Sequence, residues 1–123
     1  MGNIQNFSLN GLTQNNSGKI GKCYSGNAIY HLSEEFLSNE WSLALWVKAT
    51  AWAVNNDILL CKNSTASTAC QFYFSVVNGK TFNLGINGGS STTSYSYTFA
   101  VNTWYHLVAT YDGSNYALYI NGN

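Results

Sequence analysis

The chain has 123 residues, of which only 8% are charged, and its five Lys balance five acidic residues, so the formal net charge is zero. This length predicts one domain, spanning residues 1–123, with a single core. Without a basic patch we expect no nucleic-acid partner and no binding to an anionic membrane through charge, and no apolar run approaches the roughly 20 residues that would allow membrane insertion.

The first 40 residues are irregular and rich in Asn, Ser and Gly, without the pattern of a signal peptide. They predict loops with short edge strands around Lys19-Ile20 and Cys23-Tyr24. The segment LSEEFLSNEW predicts one helical turn, capped by Ser33.

From residue 41 onward, apolar residues alternate in short segments, which is the period of a strand with one buried face. Turn pairs follow several of these segments, at Asn78-Gly79, Asp112-Gly113 and Asn121-Gly122. Seven strands are predicted, in WSLALWVKA, DILLCK, QFYFSVV, TFNLGIN, SYSYTFAV, WYHLVATY and NYALYI. The fold class is therefore all-β, an antiparallel sandwich or barrel. WSLALWVKA is apolar on both faces, which predicts a central strand covered on both sides, and GGSSTTS is predicted to be a loop.

Three segments carry a family resemblance. The chain contains, in this order, the segments GKIGKCYS, WSLALWVK and NTWYHLVATYDGSNYALYING. These segments and their order resemble those of laminin-G-like domains of the concanavalin A-like lectin and glucanase superfamily. The resemblance implies a jelly-roll β-sandwich. It also implies an extracellular adhesive or carbohydrate-binding module of the kind found in bacterial surface proteins and in phage structural or tail proteins.

The pair Asn121-Gly122 implies a return strand, but only Asn123 follows it. Relatives continue past this turn with the paired strand and at least one more. We therefore expect a fragment of a longer chain. The alternatives are a strand donated by another chain and a shortened domain with a rearranged edge.

The acidic residues do not suggest catalysis. Glucanases of the superfamily place carboxylates on alternate positions of one strand, about 5 Å apart, and no such run occurs here. Glu34 and Glu35 are adjacent, and Asp57 is isolated. His106 lies in an apolar strand and is interpreted as a core residue. We expect a chain that is not an enzyme.

Sugar recognition combines a flat aromatic face with amide and carboxylate groups that bind hydroxyls. Trp52, Asn55, Asn56 and Asp57 supply these groups in the loop AWAVNNDI. Asp57 with the two Asn is also a weak candidate for calcium, and no other cofactor is expected. The alternative is that Trp52 caps the edge of the sandwich and NND is an ordinary turn.

Tyr95 and Tyr97 are a second candidate strip, unless they pack in the core. Cys61 and Cys70 could form a disulfide in an oxidising compartment or be two small buried side chains. The sequence thus predicts a module that binds a glycan or another cell-surface molecule. The alternative is a structural domain that makes protein–protein contacts without a small ligand.

Overall fold

The computed structural model describes residues 13–21, 23–25, 31–32, 40–62, 72–86 and 91–123. Every regular element within these ranges is a strand, and no helix there is long and apolar enough to cross a membrane. The strands are β1 (Thr13–Asn15), β2 (Cys23–Ser25), β3 (His31–Leu32), β4 (Trp41–Val47), β5 (Asn56–Lys62), β6 (Phe72–Val77), β7 (Thr81–Ile86), β8 (Ser91–Ser96), β9 (Tyr105–Tyr111) and β10 (Tyr116–Ile120).

Two sheets form the body of the fold. One has the strand order β10-β9-β4, and the other has the order β3-β5-β6-β7-β8. Neighbouring strands are antiparallel except for the short parallel pair β3–β5, and β1 and β2 form a separate antiparallel pair. The predicted all-β fold is confirmed, and its two sheets are consistent with a concanavalin A-like sandwich.

The core lies between the two sheets because alternate residues of each strand point to the same side. The five-stranded sheet contributes side chains from β6 and β7, the three-stranded sheet contributes side chains from β9 and β10, and Phe99 closes one end. The buried hydrophobic residues among those described are Phe74, Val76, Phe82, Leu84, Phe99, Tyr105, Leu107, Ala109 and Ile120. The predicted alternation in β6 and β7 is therefore confirmed.

Positive φ angles form two of the predicted turns. Asn78 and Gly79, between β6 and β7, have φ of 50° and 60°, and Asn121 and Gly122, after β10, have φ of 54° and 87°. Asn and Gly adopt this region at little cost. These residue pairs therefore determine where each of the two strands ends.

The turn between β9 and β10 is held by Asp112. Its Oδ1 accepts hydrogen bonds from the backbone N–H of Asn115 at 2.7 Å and of Ser114 at 2.8 Å. These bonds lower the pKa of the Asp112 carboxyl, that from Asn115 most strongly. The third predicted turn is thus confirmed as a loop of residues 112–115 that an aspartate organises.

The position predicted for the fifth strand of the series was wrong. The structure places β8 at Ser91–Ser96, so the strand begins three residues earlier than predicted, within the segment that was predicted to be a loop, and ends at Ser96 rather than at Val101. Tyr97 and Phe99 instead donate backbone hydrogen bonds to the carbonyls of Lys80 and Gly79, in the turn that joins β6 and β7. Among the described strands β8 pairs with β7 alone, and its Ser and Thr residues gave no apolar alternation.

The prediction that WSLALWVKA is covered on both sides was also wrong, and whether it is a central strand stays a prediction. Among the described strands, β4 pairs with β9 alone and lies at one end of the order β10-β9-β4. Its residues alternate between half-buried and exposed, and Trp46 on the exposed side is 39% exposed. Apolar residues on both faces of this strand therefore did not mean that both faces are buried against other parts of the protein.

Two predictions on the first 40 residues can be compared with the structure. The strand at Cys23-Tyr24 is confirmed as β2, but its partner is Thr13–Asn15, and Lys19-Ile20 lies in a bend. The helical turn at Ser33 and the possible bridge to Cys70 lie outside the described residues.

Candidate functional site

The structure places Trp52 against the end of the core. Its ring centroid lies 5.5 Å from that of Phe99, and a Cβ added at Gly79 would lie 2.8 Å from the indole ring. The buried indole nitrogen has no hydrogen-bond partner within the described part of the chain. Much of the Trp52 ring is therefore in contact with the protein itself, and its role in ligand binding stays a prediction.

Asp57 organises the loop that follows Trp52. One of its carboxylate oxygens, Oδ2, accepts a hydrogen bond from the backbone N–H of Ala53 at 2.7 Å. Asn55 is exposed, and Asn56 begins β5. Within the described residues no group of three or more His, Cys, Asp and Glu side chains is placed to hold a metal ion. Calcium binding at Asp57 stays a prediction.

Tyr95 and Tyr97 lie in different environments. Tyr95 is on β8 and is 39% exposed. Tyr97 packs against the core, with its ring 5.0 Å from Phe99 and 5.7 Å from Tyr105. Phe99 thus connects Tyr97 to Trp52, while Tyr95 remains accessible on the edge strand.

A further group of aromatic residues lies on the three-stranded sheet, on the side that faces away from the core. We call this side the outer face, defined by Ala44 and Trp46 of β4, His106 and Val108 of β9, and Tyr119 of β10, with Lys48, Trp104 and Asn121 at its end. In β9, Tyr105, Leu107 and Ala109 are buried while His106 and Val108 are half-buried, so alternate residues separate the two sides. The interpretation of His106 as a core residue was therefore wrong.

The register of the sheet aligns the outer-face residues in rows. Trp46 pairs with His106, and their rings are stacked with centroids 4.8 Å apart and planes inclined by 29°. In the same row Asn121 exchanges hydrogen bonds with His106: its Oδ1 accepts from the backbone N–H of His106 at 2.9 Å, and its own backbone N–H donates to the His106 carbonyl at 2.8 Å. The row is thus an indole, an imidazole and an amide side by side.

The adjacent row extends the apolar surface. Ala44 and Tyr119 are both paired with Val108, on opposite sides of it. Tyr119 is 39% exposed, the same fraction as Trp46. Two accessible aromatic rings therefore lie on one face of one sheet, in adjacent rows.

Two lysines lie over the indole rings of this region. The Nζ of Lys19 is 5.5 Å from the centroid of Trp46, and the Nζ of Lys48 is 5.1 Å from that of Trp104. Both distances are within the 6 Å or so at which a cation is attracted to a ring face. Both lysines are exposed, so their ammonium groups remain in contact with water.

Two of the acidic residues that the structure describes lie at the opposite end of this sheet. Glu40 immediately precedes β4, and Asp112 immediately follows β9. Each is six residues from Trp46 or His106 along an extended strand, which corresponds to roughly 20 Å. This separation exceeds the Debye length of about 8 Å at physiological salt. Among the described charges, the two lysines therefore lie at one end of the outer face, and Glu40 and Asp112 lie at the other.

Sequence reasoning missed the outer face although part of the signal was present. Strict alternation in WSLALWV places Ala44 and Trp46 on one side, and their partners His106 and Val108 alternate in the same way in WYHLVATY. The pattern does not show which side meets the second sheet. Lys19 lies far from Trp46 in the sequence, and no local pattern indicates their contact.

The chain belongs to the laminin-G-like group of the concanavalin A-like lectin/glucanases superfamily. A family model with that description matches residues 24–123, which is more than four fifths of the chain. Comparisons with curated proteins and with solved structures gave no significant match. The superfamily fits a carbohydrate-binding or structural module, and laminin-G-like domains are generally non-catalytic binding modules.

Proposed function

We propose that this chain is a non-catalytic carbohydrate-binding module and that its ligand binds on the outer face. The observation that carries the proposal is Trp46, which is 39% exposed and stacked on His106. An accessible indole provides the flat apolar surface on which the C–H groups of a sugar pack. Asn121 and His106 lie beside it and can exchange hydrogen bonds with hydroxyl groups.

The composition supports the same function. Only 8% of the residues are charged, so a neutral, hydroxyl-rich ligand can approach most of the surface without displacing strongly hydrated ions. No pair of carboxylates is placed across the outer face among the described residues, and a retaining glycosidase needs such a pair about 5 Å apart. Recognition without hydrolysis is the activity that this arrangement favours.

Substitution of Trp46 tests the proposal. Binding to an immobilised glycan panel is measured for the wild type, Trp46→Ala and Tyr95→Ala. Tyr95 is the matched control because it has the same 39% exposure but lies on the other sheet. We expect Trp46→Ala to abolish binding, since aromatic stacking of this kind dominates a small site, while Tyr95→Ala retains it. Loss of binding in Tyr95→Ala alone would move the site to the edge strand β8.

The loop of Trp52, Asn55, Asn56 and Asp57 remains the second candidate site. Asn55→Ala and Asp57→Asn address it in the same glycan panel, because neither substitution removes the packing of Trp52 against Phe99. Loss of binding in these variants, with Trp46→Ala unaffected, would place the ligand at the loop. A calcium-dependent loss would in addition support the proposed metal role of Asp57.

A structural module is the second candidate function, and the edge at β10 favours it. Among the described strands β10 pairs with β9 alone, so within the described part of the chain its other edge is open to a further strand. Ile120 and Asn123 exchange backbone hydrogen bonds of 2.9 and 3.2 Å across the Asn121-Gly122 turn, which directs the chain back along β10. Light scattering after size exclusion tests this candidate: a stable oligomer with no glycan binding would favour assembly over recognition.

The resemblance also supports a context, which we include in the proposal. The module would belong to a longer bacterial surface or phage structural protein and act outside the cell. It would bind a glycan or a host-surface molecule, without a nucleic-acid partner and without membrane insertion. The strand beside β10 would come from the rest of that protein or from a strand-donating partner.

A further inference from the structure

We infer that β8 is a self-association edge, at which two copies of this chain pair antiparallel and join their five-stranded sheets into one continuous sheet. The two copies would be related by a two-fold axis that passes beside Ser94. This dimer goes beyond the proposed function and does not depend on it, because β8 belongs to the five-stranded sheet and the outer face belongs to the other sheet.

Half of the backbone groups of β8 point away from its own sheet. Among the described strands β8 pairs with β7 alone, in a continuous register. The next residue in this ladder, Tyr97, donates its backbone N–H to the carbonyl of Lys80 at 2.9 Å. Successive residues of an antiparallel strand direct their backbone groups to alternate sides, so the odd-numbered residues of β8 bond to β7. The N–H and C=O groups of Thr92, Ser94 and Ser96 therefore point to the opposite side, which we call the open edge of β8.

The strand β8 lacks the features that prevent an exposed edge from pairing with another chain. Such protection usually comes from a charged residue, a proline, a bulge or a very short strand. β8 has 6 residues without a charge or a proline, and its register against β7 contains no bulge. By contrast β3, at the other end of the same strand order, has only 2 residues. β8 is therefore the end at which this sheet can be extended.

The absence of charge makes a second copy of β8 a suitable partner. No Asp, Glu, Lys or Arg occurs between Lys80 and Asp112, so antiparallel pairing of β8 with itself brings no like charges together. Thr92, Ser94 and Ser96 are exposed, and Ser and Thr side chains form favourable hydrogen-bonded pairs across strands. A strongly acidic or basic strand from another protein would find no complementary charge on β8 itself.

Two conditions restrict the register of the pair. Hydrogen-bonded partners must both point to the open edge, and residues on the core side of one strand must face residues on the core side of the other. Pairing Ser94 with the partner's Ser94 meets both conditions. It also places Tyr95 opposite the partner's Thr93, and a pair of an aromatic and a β-branched residue stabilises antiparallel strands. Tyr95 and Thr93 share the core side because they pair with the buried Phe82 and Leu84.

The contact is small, which determines how the dimer should behave. A strand of 6 residues is about 20 Å long, and two such edges bury less than the roughly 1,600 Å² of a standard interface. We therefore expect a reversible dimer that dissociates on dilution. Sedimentation equilibrium of the purified chain, at concentrations from about 1 μM to about 1 mM, measures the dissociation. A monomer throughout this series would refute the inference.

Amide hydrogen exchange locates the interface without a substitution. Exchange is measured by mass spectrometry with residue-level fragmentation, at the dilute and the concentrated end of the series. The amides of Thr92, Ser94 and Ser96 should exchange at least about tenfold more slowly in the dimer, because they gain hydrogen bonds there. The amide of Thr93 already bonds to β7 and should change little. Protection of β10 in place of β8 would put the contact at the other sheet and contradict the inference.

Two substitutions of Ser94 test the same contact. Ser94→Lys places two like charges at the two-fold axis and should weaken dimerisation about tenfold or more. Ser94→Pro removes the central N–H from both copies and should weaken dimerisation about ten- to hundredfold. The monomer should tolerate this proline because the N–H of Ser94 points away from β7. The matched control is Ser42→Lys, which adds the same charge at an exposed position of β4 in the other sheet and should leave the dimer unchanged.

The outcomes keep this inference apart from the proposed function. Urea midpoints at the dilute end of the series show whether each variant is folded. If folded Ser94→Lys and Ser94→Pro dimerise as well as the wild type, or if Ser42→Lys weakens the dimer equally, the contact lies elsewhere and the inference is wrong. Ser94→Lys should bind a soluble oligosaccharide as the wild type does, since Trp46 lies on the other sheet. If the wild type dimerises through β8 but binds no glycan, the proposed function fails while the inference stands.

Discussion

Replacement of Gly85 by Ala should destabilise the fold, because the added methyl group would collide with the ring of Tyr73. The sequence alone does not indicate this contact. Gly85 on β7 is buried and pairs directly with Tyr73 on β6. The Tyr73 ring lies over the glycine, so an added Cβ would come closer than 3.0 Å to three atoms of that side chain. Real Cβ atoms essentially never come so close to a neighbour. Either the tyrosine ring or the strand must move.

We expect Gly85→Ala to lower the free energy of unfolding by about 1–3 kcal/mol, the usual cost of forcing an extra carbon into a filled space. For a domain of this length each kcal/mol corresponds to roughly 3–5 °C in Tm. Urea denaturation, followed by tryptophan fluorescence and by far-UV circular dichroism, measures the change. Coincidence of the two transitions supports the use of a two-state free energy.

A double-mutant cycle isolates the contact with Tyr73. Tyr73→Ala removes the ring, so Gly85→Ala in that background should be neutral or stabilising by about 0.5–1 kcal/mol, because Gly is entropically costly inside a strand. The coupling between the two positions should therefore be about 1–3 kcal/mol. The reasoning is refuted if Gly85→Ala costs the same in both backgrounds, since the ring would then not cover the glycine.

Three further predictions concern hydrogen bonds and titration. The backbone hydrogen bonds to Asp112, chiefly that from Asn115, lower the pKa of its carboxyl from the ordinary value of 3.8 and so stabilise the fold at a pH above that value. The urea midpoint of the wild type should therefore exceed that of Asp112→Asn at pH 6, and the gap should close as the pH falls through the lowered pKa. Equal midpoints at pH 6 would contradict this. Burial raises the pKa of Tyr116 above 10.0, so as the pH rises the tyrosine ionises in the unfolded chain before it does in the folded protein. Stability should therefore fall more steeply above pH 10 in the wild type than in Tyr116→Phe. Parallel pH profiles of the two proteins would contradict this prediction. Tyr105→Phe should lower the free energy of unfolding by about 0.5–1.5 kcal/mol, because the Tyr105 hydroxyl accepts a 2.7 Å hydrogen bond from the backbone N–H of Ala100. An unchanged urea midpoint would show that this bond contributes nothing to stability.

The sequence alone determined the class of the fold and most of its strands. Alternation is a local property, and it correctly placed Phe74 and Val76 on one side of β6 and Phe82 and Leu84 on one side of β7, which together form part of the core. Asn-Gly pairs also act locally, through the φ angles that these two residue types tolerate. Length, low charge and the resemblance of three segments were enough to predict a β-sandwich of the concanavalin A-like kind, which the family match shows.

The tertiary structure decided which faces of the strands are covered, and hence where a ligand can reach. Trp46 is exposed because it lies on the side of the three-stranded sheet that faces away from the core, although β4 has apolar residues on both sides. The start of β8 was missed because Ser91–Ser94 contain no apolar residue, so only its pairing with β7 identifies them as a strand. Register brought Trp46 beside His106, and chain folding brought Lys19 onto the indole ring. Cover, register and contacts between distant residues depend on pairing across the whole chain, and a local pattern contains no information on that pairing.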